Sequence, residues 1–254
     1  MIRWTETASP SFTARHAEDD ADGTRATLEL LEGMRERLGS LLPALPEAVD
    51  VVVHPTRAGL DLAQPLVPLV RRMTAAPARR FVAGGISTHQ LHVLTPEGLQ
   101  ARAGSVAGSS EMLAATPGAL YAQLACSALN PGLAPPFGAR ATASTLRSLW
   151  LTVGAGAWLG GQTAHARPAI ARRLRAGGEP RFPPSARDAV LLGGTVFELL
   201  AEEEGDAAAV DMALTAPAGL RQTLEPAFRG RSLVHTSGAW RAHLARIAGA
   251  AARP

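Results

Sequence analysis

Thr116-Pro117-Gly118-Ala119-Leu120-Tyr121-Ala122-Gln123-Leu124-Ala125-Cys126-Ser127-Ala128-Leu129-Asn130 is the first of two apolar stretches on which the reading of this chain turns. The second runs from Ser144 to Gln162 and carries Gly154-Ala155-Gly156-Ala157-Trp158-Leu159. Proline inside a helix removes a hydrogen bond and clashes with the preceding turn, so the segment Pro131 to Phe137 must separate them. Neither stretch shows a polar face. The sequence therefore predicts two helices buried in the middle of a domain and joined by a proline-bounded crossing.

Upstream, the pattern changes to strands. Residues 2 to 7 and Phe12 to His16 read as short strands around the turn signal Ser9-Pro10. Asp20 to Leu42 predicts a helix with Ala26, Leu30, Met34, Leu38 and Leu41 on its inner face. Ala48 to His54 is a β-branched run of strand length closed by Pro55 and predicts a buried strand. Residues 56 to 79 contain several prolines and give no clear element. Arg80 to Gly85 and Gln90 to Leu94 predict two further strands, and Thr95-Pro96 a capped helix start, repeated at Thr116-Pro117.

Downstream, the chain predicts helices almost throughout: Arg167 to Ala176, Ser185 to Glu204 with Leu191, Leu192, Val196, Leu199 and Leu200 inward, Asp206 to Leu214, Leu220 to Phe228 and Ser237 to Ile247. Strands first and helices afterwards argue for an α+β fold without alternating βαβ units. One domain over 1–254 is expected, strand-rich over 1–110 and helical over 111–254. No internal repeat of fixed period is present.

The bulk composition narrows the function classes. With 254 residues and 46% hydrophobic residues the chain can bury a large core, and a net charge of +3 is mild. Every cation is arginine. Aromatics make up only 4%, which argues against a nucleic-acid partner, because such surfaces interleave clustered cations with stacking rings. A single cysteine, Cys126, excludes a disulfide framework or a thiolate metal cluster within one chain. Nothing approaches the roughly 20 apolar residues of a membrane span, so a cytoplasmic protein with no membrane partner is expected.

Several stretches in order resemble the peptidase MA-like group of gluzincin zinc metallopeptidases. Phe12-Thr13-Ala14-Arg15-His16, the long helix and Val49 to His54 are similar to the strand, helix, strand entry of those domains. Leu224-Glu225-Pro226-Ala227-Phe228-Arg229-Gly230-Arg231-Ser232-Leu233 and Trp240-Arg241-Ala242-His243-Leu244 resemble their closing turn and tryptophan-bearing helix. The resemblance spans most of the chain and implies a thermolysin-like architecture. It also implies a His-Glu-x-x-His zinc motif on the first buried helix and a glutamate ligand on the second. Here no histidine or carboxylate lies between Thr116 and Asn130, Val153 stands where the ligand glutamate would be, and Ala157 replaces a second acid. The expectation is therefore a zinc-free relative without catalytic residues, metal or cofactor, keeping its cleft to bind a small molecule, peptide or protein.

Polar residues near that cleft are the binding candidates: Tyr121 and Gln123 on the first buried helix, Trp158 and Gln162 on the second, and His165 just beyond. A hydrolase with a relocated site using His165, Tyr121 and Gln123 is the alternative. The other histidines carry weaker signals. His89 and His92 fall on opposite faces of a strand, His54 reads as an edge residue, His16 has no visible partner, and His235 and His243 read as surface or packing residues. Glu198 is either on a solvent face or in a polar network, and Arg187-Asp188 at a helix start could bridge to another element.

Overall fold

The computed structural model describes residues 2–133, 146–215 and 219–251. The five strands are β1 (Trp4–Ala8), β2 (Phe12–Ala17), β3 (Val49–His54), β4 (Gly84–Ile86) and β5 (Gln90–Leu94), arranged in the order β1-β2-β3-β5-β4. The centre of the sheet is parallel, β2 with β3 and β3 with β5, while both edge strands run antiparallel to their neighbours. The register brings Phe12, Val49, Val51, Leu91 and Val93 onto one face, all buried. Alternation of apolar residues along each strand fixes that choice of face.

Against it lie helix α1 (Ala21–Gly39) and helix α6 (Thr116–Leu129). Helix α1 joins β2 to β3, so β2-α1-β3 is a parallel crossover unit after all. The strand and helix patterns were each legible, but whether the chain returns through α1 to lie parallel beside β2 is decided by tertiary packing, and local composition does not encode that. The inner face of α1 also differs from the expected one. Thr24, Thr27, Leu28, Leu31, Met34 and Leu38 are buried, whereas Leu30 and Leu41 are 37% and 40% exposed. Steps of four overshoot a 3.6-residue turn and drift around the helix, so the true stripe mixes threes and fours.

Residues 57–81 fold as α2 (Arg57–Ala63), α3 (Leu66–Met73) and a 3-10 turn (Ala76–Phe81). Of the strand expected over 80–85, only Gly84 and Gly85 are extended, and β4 continues one residue further to Ile86. Then come α4 (Pro96–Gln100), where the Thr95 hydroxyl accepts from Gly98 N at 3.1 Å, and α5 (Ser109–Ala114). Helix α6 starts differently: Ala115 holds the cap position without a side-chain bond, Thr116 is already the first helical residue, and its Oγ1 accepts from Gln162 Nε2 at 3.3 Å.

Beyond α6 the described elements are α7 (Leu149–Leu159), α8 (Gln162–His165), α9 (Arg167–Arg175), α10 (Ala189–Glu204), α11 (Asp206–Leu214), α12 (Leu220–Ala227) and α13 (Leu233–Ala251). Most of the expected crossing over Pro131 to Phe137 and the start at Ser144 lie outside the described residues. The second apolar stretch ends its helix at Gly160-Gly161, where Gly161 has φ +79°. One hydrophobic core runs from the sheet through α6, α7 and α10 to Trp240 on α13. Among the described residues no helix is long and apolar enough to cross a membrane.

Candidate functional site

Helices α6 and α7 dock at backbone distance because small residues face each other. A Cβ added at Gly156 would lie 2.6 Å from the Ala119 carbonyl oxygen, and one at Gly160 only 2.5 Å from Ala119 Cα. On the other flank of α7, a Cβ at Gly154 would sit 2.6 Å from Gly193 C on α10. Arg37 on α1 donates to the Leu159 carbonyl and ties this layer to the first helix.

Where α6 and α7 meet the free edge of the sheet, a cleft of about 140 Å³ opens. Strand β4 and α3 form one wall, α6 the floor and α7 the other wall. Glycines let β4 lie flush between its neighbours: a Cβ on Gly84 would collide with Leu120 Cδ1, and one on Gly85 would come 2.8 Å from Val67 Cγ2. Ser87 N donates to the Gln90 carbonyl at 2.9 Å and closes the β4-β5 hairpin. Antiparallel pairs alternate between bonded and non-bonded, and the register matches Ile86 with Leu91 and Gly84 with Val93. The N–H and C=O groups of Gly84 and Ile86 therefore point outward from the sheet, at the edge that lines the cleft.

Ala119 and Gln123, one helical turn apart, both line the cleft with Leu120 between them, and Val153 faces them from α7. The side chains do not fit zinc. They supply one amide and neither imidazole nor carboxylate, against the three ligands a catalytic zinc requires, and residues 134–145 contain no His, Cys, Asp or Glu.

Of the five candidate residues, the cleft gathers Gln123 and Gln162. Gln162 is buried and donates from Nε2 to the Met112 carbonyl at 2.8 Å. Tyr121 lies elsewhere, fully buried, its ring edge-on to Phe12 at 5.0 Å and its hydroxyl accepting from Arg35 Nη1 at 3.0 Å. Burial raises its phenol pKa above the usual range. Trp158 stacks on Phe197 at 6.0 Å, and the His165 side chain is exposed at the end of α8. His165, Tyr121 and Gln123 are thus not assembled into one site. The cleft also uses Gln64, Val67 and the edge of β4, which lie in or beside the proline-broken region whose elements periodicity could not resolve.

Several other polar groups make their bonds within the fold. His16 Nε2 bonds Thr7 Oγ1 at 2.8 Å and its Nδ1 lies 2.7 Å from the Ala17 carbonyl. His54 is on a central strand, stacked against His92 with Nε2 to Nδ1 at 3.1 Å. Burial, then the neighbouring His92, lowers the His54 pKa to about 4. Asp188 takes both oxygens of its carboxylate to Arg173, at 2.7 and 3.1 Å, in a buried pair between α9 and the start of α10. Glu198, Glu202 and His243 offer three ligand atoms within 4.8 Å, but Arg167 bonds Glu198 at 2.9 Å and Arg246 bonds Glu202. Two guanidinium groups already balance two carboxylates there, and the cluster joins α10 to α9 and α13. Burial alone would raise the Glu198 pKa, yet bonds from His243 and Arg167 hold it below the ordinary value.

Neither family models, nor curated proteins, nor solved structures yield a match to this chain.

Proposed function

We propose that the chain is a zinc-free relative of the gluzincin peptidases that uses the cleft to hold an extended, largely apolar peptide without cleaving it. The observation that carries this reading is the meeting of Ala119, Leu120, Gln123 and Val153 on one cavity beside an edge strand. A peptide laid along β4 would pair with the outward backbone groups of Gly84 and Ile86, the same strand addition that other peptide binders use. Leu120, Val67, Val70 and Phe81 would take alternate side chains of the guest. Gln123 and Gln162 would supply the few polar contacts that set its position.

The test pairs binding with turnover. A library of fluorescent apolar peptides, followed by anisotropy and by mass spectrometry, should yield members that bind and stay intact. Val153→Trp fills the cleft and should lower their affinity by about tenfold or more, while the thermal midpoint stays within a few degrees because Val153 is only partly buried. Cleavage of a bound peptide by the metal-free chain, or unchanged binding by that variant, would sink the proposal.

A further inference from the structure

A second concavity, separated from the cleft by α3, is built from arginine. Arg57, Arg71, Arg79, Arg80 and Arg102 surround an open depression of about 510 Å³. Among the described residues Asp61 is the one carboxylate bonded to any of them: it receives Arg71 Nη1 at 2.8 and 2.7 Å and lies 3.4 Å from Arg57 Nε. Five guanidinium groups against one carboxylate is a dense local charge for a chain whose net charge is +3.

Part of this donor set serves the fold. Arg102 donates from Nε to the Arg80 carbonyl at 2.8 Å and from Nη2 to that of Arg79 at 3.1 Å, and Arg79 donates to the Thr74 carbonyl at 2.9 Å. These bonds clamp the 3-10 turn and fix the arginines around the rim. Other donors are left over. The Arg80 guanidinium lies over Gly104, where a Cβ would strike its Nη1, and it has no hydrogen bond or ion pair among the described residues. Arg71 has a side chain only 7% exposed, yet its Nε finds no partner. A buried donor left unmet is costly, and repulsion among like charges adds to that cost. Arg102 reports it: burial first, then Arg71 and Arg57, pushes its guanidinium pKa below the ordinary value.

We propose that this depression binds a small polyanion whose charge sits on phosphoryl-type oxygens, the chemical class of pyrophosphate. Planar guanidinium forks match such oxygens two at a time, and a multiply charged guest would relieve the mutual repulsion of its hosts. A nucleic-acid strand fits less well, since no aromatic side chain lines the depression to stack a base. The assignment is independent of the peptide cleft.

Calorimetric titration of the whole chain with pyrophosphate tests it, at low and at raised salt. One saturable site per chain is expected, weakened by salt, with orthophosphate binding more weakly. Arg57→Gln combined with Arg80→Gln should lower the affinity about tenfold or more, because these side chains contribute least to the fold: Arg57 is 59% exposed, and Arg80 is unpaired. Thermal melts without ligand should leave that variant near the parent. Should it melt early, Arg57→Gln alone is read instead, with a severalfold loss expected. Arg221→Gln, at a side chain 81% exposed elsewhere on the surface, should bind as the parent does. No saturable binding, equal affinity in the Arg57 and Arg80 variants, or an oligonucleotide that binds and is not displaced by pyrophosphate would each overturn the assignment.

Discussion

Cys126 shows how far burial alone sets reactivity. Its thiol pKa is pushed up to about 12 by burial on α6, so almost no thiolate exists at neutral pH. Ellman's reagent should label it only as fast as the chain unfolds; rapid labelling of the native protein would contradict that burial. The Arg173 and Asp188 pair makes a different demand. Asp188→Asn would strand a guanidinium in the interior and should cost about 3 kcal/mol in urea unfolding. The stacked histidines contribute to the acid response. Folded, both rings favour the neutral form, His54 with a pKa near 4 and His92 lowered by burial. Unfolded, each binds protons near its ordinary value of 6.5. Below that value the unfolded chain takes up more protons, so stability present at neutral pH drains away as pH falls toward 4, on the order of 3 kcal/mol for His54 alone. Urea midpoints at pH 7, 6 and 5 should fall in sequence, and His54→Phe should flatten the trend.

At the scale of elements, the crossing of α6 with α7 is the most constrained contact. Gly160→Ala would press a methyl group onto the Ala119 backbone, which cannot rotate away, and should cost about 2–3 kcal/mol in thermal or urea unfolding. Gly161→Ala, one residue on, meets no atom within 4 Å but carries φ +79°, so its smaller cost would come from backbone strain alone. Much of this layer was legible in the sequence. The strand expected over Ala48 to His54 matches β3 to within one residue at its start, and the inward leucines of α10 are all buried. Less legible were contacts set by distant partners. Thr116 resembles a cap residue, but Gln162, far along the chain, claims its hydroxyl. Residues 80–81 have strand-like composition, yet carbonyls clamped by Arg102 hold them in a 3-10 turn.

For the whole molecule, the two buried helices and two cleft residues, Gln123 and Gln162, were legible in the sequence, whereas Tyr121, Trp158 and His165 lie away from the cleft. Tyr121 and Gln123 are two apart on one helix and so point to different sides; which side met the core and which the cavity depended on where α1 and β4 lay. The arginine depression was invisible for a similar reason. Arg57, Arg71, Arg80 and Arg102 are scattered over four elements or turns, and only the packing of α2, α3 and the 3-10 turn collects them. Helix α7, wedged through its glycines between α6 and α10, has a kinetic corollary. A rod gripped from both flanks cannot peel off alone, so its amides exchange with deuterium only when the entire chain opens. In a time course followed by mass spectrometry, peptides covering 149–159 should be the slowest to gain mass, while those from β1, exposed along an outer edge of the sheet, should saturate early.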